Sequence, residues 1–480
     1  MATQALRDQK LDSFPNGVYD DISVADSLMP QGAVRHAVNV RFNSPRGAIS
    51  QRYGTTVLGD QAGASGADIL GIHNFRSPTS ANNKLICASN TVIRYLNGST
   101  WTNIVTGLTT GLKTRFITYL NRVALLNGTD GVRSWDGNAG TWLTTGGPLD
   151  VANWPVTKLA VLLNGRVLAL GNSTDPAQIY ESSLQSAGAI SWTSGNRNTQ
   201  VFTNDGNGDL VSAVSNGRVA ILFKERAQYR YDGNSLQFIV PVGTTSHESV
   251  ITDDEGVTYF FGQGGSSVGF YATTGGYPKK ISRPIQKWIN AISPAFYDDI
   301  AGYTDGNSVY WSIGSVTVDG TTYTNASVAY NFTDRTWECR NHADSFLVYA
   351  QYITSTGAMT VVGGDTDGYI QTMDSGNTDN GTNINIECET GPDFFTGRGR
   401  MKLIPEIITH CTDVQNLNVL ARVDGVLKPV GGITGEDTLF QNADLRGRRF
   451  NFKLVGSNSG TPFIFNGFSF PVIYDEGYGF

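Results

Sequence analysis

The sequence predicts an all-β protein, and its composition gives the first two reasons. Of its 480 residues, 56 are glycine and 51 are aromatic (8 Trp, 20 Tyr and 23 Phe), whereas only 16% are charged. Helices favour Ala, Leu, Glu and Lys, while turns and pleated strands favour Gly, Asn, Thr, Tyr and Val. A hydrophobic fraction of 40% without a long charged tract also excludes intrinsic disorder.

A repeated pair of segments, the third reason, predicts that the strands form the blades of a β-propeller. Two apolar strands around an Asn-based turn occur at 114–127, 157–171 and 210–223. An aromatic strand closed by a turn occurs at 92–101, 132–142, 228–238 and 328–337. Four strands in each stretch of about 40 to 50 residues are typical of a propeller blade. With further units at 71–107, 249–281, 300–342 and 346–374, we predict a six- or seven-bladed propeller; a generic sandwich or a string of small sheets is the alternative.

Local signals define turns and one helix within this repeat. Asn164-Gly165 and Asn216-Gly217 lie between alternating apolar residues and predict hairpins with two-residue turns, which need positive φ at both positions. Residues 282–292 predict a helix that Ser282 caps and that tolerates Pro284 in its first turn. Its apolar stripe consists of Ile285, Trp288, Ile289 and Ile292.

The two ends of the chain lack the repeat and predict separate units. Residues 1–59 read as an N-terminal extended arm with a short helix at 30–38 and a hairpin at 39–53, and residues 60–382 form the propeller. A polar linker at 372–382 precedes residues 383–480, which predict a C-terminal antiparallel β-sandwich. Its predicted strands are 383–390, 401–409, 416–423, 449–455 and 462–474.

Charge and cysteine usage limit the classes of partner and compartment. The net charge is −7, and residues 60–382 carry 20 basic and 26 acidic side chains, so no cluster of Lys and Arg is suited to gripping nucleic acid. The four cysteines are scattered, which favours a reducing compartment over a zinc site or disulfides. Neither a secretory core nor an apolar stretch of about 18 residues is present, so we expect a soluble chain made in the cytoplasm.

Two short basic segments of the sandwich are the candidate contact residues for a partner or DNA. They comprise Arg398, Arg400 and Lys402 in the first segment, and Arg446, Arg448 and Arg449 in the second. The alternative is ordinary charge at strand edges, which prevents unwanted pairing.

Three segments resemble one protein family. The first contains Pro30-x-Gly32-Ala33, Ala37-x-Asn39-Val40-Arg41-Phe42, Gly47-Ala48-Ile49 and Arg52-x-Gly54; the others are KKISRPI at 279–285 and RGRRFNFKL at 446–454. Together they resemble the tail hub proteins of short-tailed bacteriophages, also called nozzle or packaged-DNA stabilisation proteins.

The resemblance implies a structural virion protein rather than an enzyme. It implies a homo-oligomeric ring, usually a hexamer, below the portal and its head-to-tail adaptor, in a tail assembled in the host cytoplasm. Such a ring continues the DNA channel, retains the packaged genome and anchors tail fibres, spikes or a needle. Double-stranded DNA would pass without sequence-specific binding. No catalytic, cofactor-binding or metal-binding residues are implied, and the N-terminal arm could lace neighbouring subunits.

A glycan-binding or sialidase-like propeller is the alternative function. Ser134-x-Asp136 before Gly140-Thr141-Trp142 is similar to the turn of sialidase blades, although the glycine is displaced. A sialidase-type site also needs converging arginines beside a tyrosine and an acid, for which Arg94, Arg133 and Arg230 are the recurring candidates. Phosphate-loop, zinc-protease and serine-hydrolase motifs do not occur, and residues 205–209 favour a plain turn over a calcium loop.

Overall fold

The computed structural model describes residues 4–20, 29–30, 32–43, 46–79, 83–138, 142–202, 205–265, 267–354, 356–393, 395, 399–413, 416–458 and 460–477. These residues form an all-β protein, as predicted, with one α-helix and two 3₁₀ turns. Five strands precede the first blade: β1 (Gln4–Leu11), β2 (Val34–Val38), β3 (Val40–Asn43), β4 (Arg46–Gln51) and β5 (Thr56–Val57). The described residues contain no helix with the length and apolar character that a membrane crossing requires.

Seven antiparallel sheets follow one another and form the propeller. Blade 1 contains β6 (Ile69–Phe75), β7 (Lys84–Ser89), β8 (Val92–Asn97) and β9 (Thr100–Val105). Blade 2 contains β10 (Arg115–Tyr119), β11 (Arg122–Leu126) and β12 (Arg133–Trp135), with Leu143 bridging to Ser134 as a vestigial fourth strand. Blade 3 contains β13 (Leu159–Leu163), β14 (Arg166–Leu170), β15 (Gln178–Glu181) and β16 (Arg197–Gln200). Blade 4 contains β17 (Leu210–Ser215), β18 (Ala220–Lys224), β19 (Gln228–Tyr231) and β20 (Leu236–Val240).

The last three blades carry the elements that approach the sandwich. Blade 5 contains β21 (Ile251–Thr252), β22 (Thr258–Gly264), β23 (Ser267–Thr273) and β24 (Lys279–Lys280). Blade 6 contains β25 (Ala301–Thr304), β26 (Ser308–Val318), β27 (Thr321–Asn331) and β28 (Trp337–Asn341). Blade 7 contains β29 (Phe346–Ile353), β30 (Met359–Asp365), β31 (Ile370–Thr372) and, as its outer strand, β5. The predicted propeller is confirmed, and the sheets give it seven blades.

Strand β5 closes the ring of blades. Val57 pairs with Gln371 and Thr56 pairs with Thr372, so a segment from near the N-terminus completes the last blade. Leu58 continues the contact by donating its backbone N–H to the Ile370 carbonyl at 2.7 Å. The ring is therefore closed by backbone hydrogen bonds between residues more than 300 positions apart.

The two predicted Asn-Gly turns differ in the structure. Asn164 and Gly165 both have positive φ (50° and 74°) and join β13 to β14 by a two-residue turn, as predicted. The two-residue turn predicted at Asn216-Gly217 is wrong, because Ser215 pairs with Ala220 and leaves a four-residue loop. The Asn216 side chain accepts the backbone N–H groups of Arg218 and Val219, which stabilises the longer loop instead.

An ion cluster lies across the propeller axis. Glu248, just before blade 5, accepts Arg115 of blade 2 at 2.8 Å and lies 3.7 Å from Lys113. Blades 2 and 5 face each other across a ring of seven, so these side chains cross its centre. Burial raises the pKa of Glu248, but Arg115 and Lys113 outweigh it and bring the pKa to about 2.

The predicted helix at 282–292 forms as a 3₁₀ turn, Arg283–Ile285, followed by α1, Gln286–Ala291. All four residues of the predicted stripe are buried. Ser282 does not cap the helix as predicted, because its hydroxyl accepts the Phe270 backbone N–H. The helix therefore packs its apolar side between blades 5 and 6 and the sandwich.

The sandwich consists of a sheet of eight strands and a sheet of five. Its C-terminal strands are β32 (Ile384–Thr390), β33 (Met401–Ile404), β34 (Ile407–Thr412), β35 (Leu417–Val423), β36 (Val426–Gly432), β37 (Asp437–Phe440), β38 (Leu445–Gly447), β39 (Phe450–Asn458) and β40 (Ile464–Gly477). The first sheet combines β33, β34, β37, β38 and β40 with β1, β3 and β4. The second has the order β2-β32-β39-β35-β36. One strand predicted at 401–409 is split in two, because Pro405 interrupts the ladder.

The N-terminal region is integrated into the sandwich rather than extending as the predicted arm. Strand β1 pairs with β40 from Gln4↔Asp475 to Leu11↔Phe468, and the predicted hairpin at 39–53 is present as β3 and β4. The short helix predicted at 30–38 is wrong, since Val34–Val38 is a strand paired with β32. Pairing between strands that are distant in sequence provides hydrogen bonds for their backbone N–H and C=O groups, and no local sequence pattern predicts such pairing.

The propeller and the sandwich share one core. A single cluster of buried side chains includes Phe14 of the N-terminal segment, Trp311 of blade 6, Trp288 of α1 and Phe468 of the sandwich. Arg52 lies at the same junction, fully buried, and binds Asp379 through both terminal nitrogens at 2.8 and 2.6 Å. The junction is therefore both apolar and ionic.

Candidate functional site: a charged cleft at the junction

The two predicted basic segments come together in the structure. Strand β33 pairs with β38, so that Lys402 faces Gly447 and Leu403 faces Arg446. Sequence reasoning did not anticipate this adjacency, because the segments are more than 40 residues apart. Arg398 lies outside the described residues.

The charges of this strand pair are largely neutralised. Arg400 lies 2.9 Å from the Asp475 carboxylate, and Arg446 lies 2.6 Å from Glu476. Lys402 is fully buried, burial lowers its pKa, and its ammonium donates to the Arg400 carbonyl at 3.3 Å. Arg446 lies on the edge strand β38 and matches the interpretation as strand-edge charge, whereas Arg400 precedes β33, which lies between β40 and β38. The use of either arginine as a partner contact stays a prediction.

Arg448 and Arg449 lie at the other end of this segment. The Asp424 carboxylate accepts both backbone N–H groups, at 3.0 and 2.9 Å, and fixes the turn that presents the two side chains. Arg448 is exposed, while Arg449 points into a cleft between the propeller and the sandwich. Of the five predicted residues that the structure describes, Arg449 is the one that lines this cleft.

The charged cleft has a volume of about 460 Å³. Its lining residues are Arg35, His36, Lys287, Val318, Asp319, Thr321, Tyr323, Glu387, Glu389, Arg422, Gly425, Arg449, Asn451 and Lys453. They come from β2, helix α1, the β26–β27 hairpin and the five-stranded sheet. Nine of the fourteen are Arg, Lys, His, Asp or Glu, so the cleft is lined mainly by charged side chains and histidine.

One long hairpin forms the propeller side of the cleft. Strands β26 and β27 have 11 residues each and extend beyond their blade. Val316 and Val318 are buried in the shared core, and Asp319 occupies the turn with φ of 50°. The buried valines anchor the hairpin, and its turn places the exposed Asp319 carboxylate next to the sandwich.

The sandwich wall of the cleft consists of paired charges. Arg422 donates two hydrogen bonds to Glu389 at 2.9 and 3.2 Å, and Lys453 binds Glu387. Burial raises the pKa of Glu387, but the His36 ring, whose Nε2 lies 3.8 Å from the carboxylate, and the Lys453 ammonium outweigh it and lower the pKa to about 2. The lowered pKa keeps Glu387 ionised, and the two hydrogen bonds from Arg422 hold the Glu389 carboxylate in place.

The floor of the cleft combines Lys287, Asp20 and His36. The Lys287 ammonium lies 3.0 Å from Asp20 and 3.1 Å from Asp319. His36 stacks on Trp288 at 6.2 Å, and one ring nitrogen, Nε2, lies 3.1 Å from the Tyr323 hydroxyl. Asp20, His36 and Asp319 each offer a ligand atom within 4.8 Å of the others, which is the grouping that could hold a metal ion.

The residues proposed for a sialidase-type site do not converge. Arg94, Arg133 and Arg230 lie on the third strands of blades 1, 2 and 4, namely β8, β12 and β19, rather than on the strands that surround the axis. In the segment 205–209, the alternative calcium loop, the Asp205 carboxylate accepts a hydrogen bond from the Lys224 ammonium at 3.0 Å and another from the Tyr229 hydroxyl. Asp205 therefore binds neighbouring side chains of blade 4.

Comparisons with known proteins bear on the fold alone. No protein-family model and no curated protein matches the chain by sequence. Among solved structures it is similar to YCF48 bound to D1 peptide, with TM-score 0.40 and 11% identity over 67% of this chain and 95% of that one. It is also similar to the N-terminal domain of Nup159, with TM-score 0.39 and 9% identity over 67% and 95% of the two chains. The computationally designed Ika8 protein gives TM-score 0.40 and 11% identity over 76% and 99%.

The protein is a β-propeller. YCF48 and Nup159 have the same fold class, but the fold assignment here follows from the seven blades themselves. At these identities and TM-scores, nothing about ligands or partners transfers from these structures to this chain.

Proposed function

We propose that the protein is a tail hub subunit of a short-tailed bacteriophage, a structural virion protein without an enzymatic role. In this proposal, copies of the chain form a ring, of six subunits by family resemblance, below the portal and its adaptor. The ring continues the DNA channel, helps to retain the packaged genome and provides attachment for fibres, spikes or a needle.

The observation that carries the proposal is the meeting of the three family-like segments at one junction. Segment 30–54 contributes His36 to the charged cleft, segment 279–285 leads directly into helix α1, and segment 446–454 contributes Arg449 and Lys453. They are separated by more than 150 residues in each case, yet they surround the same contact between propeller and sandwich. A shared sequence pattern that maintains one junction is typical of a subunit whose two parts must keep a fixed relative position.

The outer strands of the sandwich offer surfaces for assembly. Among the described strands, β36 has β35 as its one partner, and it exposes Val426 and Leu427 by 62% and 41%. Strand β37 is likewise at an edge and exposes Leu439 by 46%. Apolar side chains on an open sheet edge favour pairing with another chain. For a ring-forming subunit, a second copy is the partner that this edge would meet.

Mass measurement by light scattering tests the ring. Six chains of 51.7 kDa would weigh about 310 kDa. We expect this mass for the chain alone or after addition of the adaptor. A strict monomer in both conditions would contradict the hub proposal.

Paired variants then test the edge. Leu427→Glu on β36 should shift the mass toward that of the monomer, because a charge replaces an apolar contact. Leu184→Glu, at a residue of blade 3 that is 53% exposed, is the matched control and should leave the ring intact. If both variants retain the ring, β36 is not the assembly edge.

A glycan-binding role is the second candidate, favoured by one pocket. A pocket of about 310 Å³ between blades 6 and 7 is lined by Tyr53, Tyr303 and Tyr310 together with the carboxylates of Asp305 and Asp374. Aromatic faces beside hydrogen-bonding carboxylates suit the apolar and hydroxyl surfaces of a sugar. Calorimetric titration with neutral oligosaccharides should then show binding that Tyr53→Ala abolishes. Absence of binding to the unmodified chain would remove this candidate.

A further inference from the structure

The orientation of His36 in the charged cleft is the first of three observations that point to a metal-binding site. Its Nε2 lies 3.1 Å from the Tyr323 hydroxyl, which in turn lies 3.5 Å from Glu387. Its other ring nitrogen, Nδ1, is buried and has no hydrogen-bond partner among the described residues. Metal-binding histidines are held in this way, with one nitrogen fixed by a polar group and the other directed at the ion.

Asp20 provides an independent sign of a missing ligand. The residue is only 5% exposed, and within the part of the chain that the structure describes its buried Oδ2 atom has no hydrogen-bond partner. An unpaired buried oxygen is costly, so the position favours an additional positive charge.

Asp319 completes the group from the propeller side. The Asp319 carboxylate, the Asp20 carboxylate and the His36 ring each offer one ligand atom, and these three atoms lie within 4.8 Å of one another. The Asp319 side chain is 58% exposed at the tip of the β26–β27 hairpin, so it can rotate toward the other two. The Lys287 ammonium holds both carboxylates, which shows that the group already accommodates one cation.

We propose that Asp20, His36 and Asp319 bind a divalent transition-metal ion that replaces the Lys287 ammonium between the two carboxylates. One imidazole and two carboxylates suit zinc, cobalt, nickel or manganese, whereas magnesium and calcium prefer oxygen ligands alone. Three protein ligands leave further coordination positions directed at the open cleft.

This site would join parts of the chain that are distant in sequence. Asp20 belongs to the N-terminal segment, His36 to strand β2 of the sandwich and Asp319 to blade 6. A bound ion would therefore clamp the sandwich to the propeller. The inference is independent of the hub proposal, because it uses only the geometry of the cleft.

Titration of the tag-free full chain with Co²⁺ after chelator treatment tests the site. We expect one equivalent to bind, with visible d–d absorption that reports a nitrogen and oxygen ligand set. Asp319→Asn should weaken binding at least tenfold, and since its side chain is exposed, this variant should fold. Lys287→Met should strengthen binding several-fold by removing the competing ammonium.

His410→Gln is the matched control. His410 is also beside a carboxylate, 2.6 Å from Asp437, but it lies on β34 away from the cleft. Its substitution should leave the Co²⁺ affinity unchanged. Loss of binding in His410→Gln, unchanged affinity in Asp319→Asn, or no stoichiometric binding by the unmodified chain would each overturn the proposal.

Thermal unfolding in the presence of Zn²⁺ gives a readout that does not depend on cobalt spectra. The melting temperature of the unmodified chain should rise with Zn²⁺ concentration, because a ligand that binds only the folded state stabilises it. Asp319→Asn should lose most of this rise. An equal rise in both proteins would place the zinc elsewhere and contradict the assignment.

Discussion

Two ion clusters join the propeller to the sandwich, and they differ in how completely they are satisfied. Arg52 is fully buried and makes five hydrogen bonds, two of them to Asp379. Lys287 is 23% exposed and bridges Asp20 and Asp319, while one oxygen of Asp20 finds no hydrogen-bond partner in the described ranges of the chain. All the donors of Arg52 are used, so its cluster cannot bind a further ligand. The Lys287 cluster still has that acceptor oxygen on Asp20 and can bind one.

The chemistry of the two cations explains the difference. The guanidinium of Arg52 is planar and offers five donors in fixed directions, so Asn39, Tyr53, Asn341 and Asp379 together saturate it. An ammonium is a compact charge on a flexible stem, and a competing cation can displace it more easily. A saturated cluster is therefore structural, and an incompletely satisfied one is the better candidate for function.

The largest expected effect comes from breaking the saturated cluster. Arg52→Met should lower the free energy of unfolding by about 3–5 kcal/mol, because it leaves the Asp379 carboxylate buried without its partner. Arg52→Lys should restore only part of the loss, since it cannot make two parallel bonds to a carboxylate. Denaturant titration measures both values. A loss below about 1 kcal/mol for Arg52→Met would mean that the two clusters are alike.

A smaller effect is expected from the pH response of the cleft. The pKa of Glu387 is lowered from 4.5 to about 2, so its contribution to stability is present above pH 4.5 and is lost as pH falls toward 2. Because its side chain is 26% exposed, we expect about 1–2 kcal/mol rather than the full value of the shift.

Glu387→Gln measures this contribution. The variant should be less stable than the unmodified chain at pH 7, and the difference should shrink between pH 4.5 and pH 3. Denaturant titration at each pH follows it. A difference that is independent of pH would show that ionisation of Glu387 does not stabilise the cleft.

The smallest change in stability is expected for a substitution in the Lys287 cluster. Asp319→Asn, at the exposed tip of the hairpin, should change the free energy of unfolding by less than about 0.5 kcal/mol in the absence of metal. Arg446→Ala, which removes an exposed ion pair with Glu476, is the control and should give a similar value. If Asp319→Asn lowered the free energy of unfolding by more than about 2 kcal/mol, the Lys287 cluster would stabilise the fold in the same way as the Arg52 cluster.

The propeller was predictable because its signals are local. Turn residues with positive φ recur in the first three blades, at Asn90, at Asn121 and at Asn164 with Gly165, and Asn and Gly adopt this conformation more readily than other residues. The apolar stripe of the helix at 282–292 was likewise visible from spacing alone. The extent of the sandwich was not predictable, because the pairing of β1 with β40 joins residues more than 450 positions apart.

The cleft escaped prediction for the same reason. Asp20, His36, Lys287, Asp319 and Glu387 are dispersed over most of the chain, and none belongs to a motif with recognisable spacing. The sequence signals that led there were the basic segment at 446–449, which reaches the cleft at Arg449, and the family-like segment at 30–54, which contains His36. Tertiary packing alone determines which of its charges meet the propeller.

Strand β5 links the timing of folding to the order of synthesis. The outer strand of blade 7 is made at residues 56–57, but its partner β31 emerges only after residue 369. The first six blades are synthesised before β31, so any blade that folds during translation does so in an open ring with unpaired terminal edges, a condition that favours aggregation. Closure depends on keeping an early two-residue segment available until the last blade is complete.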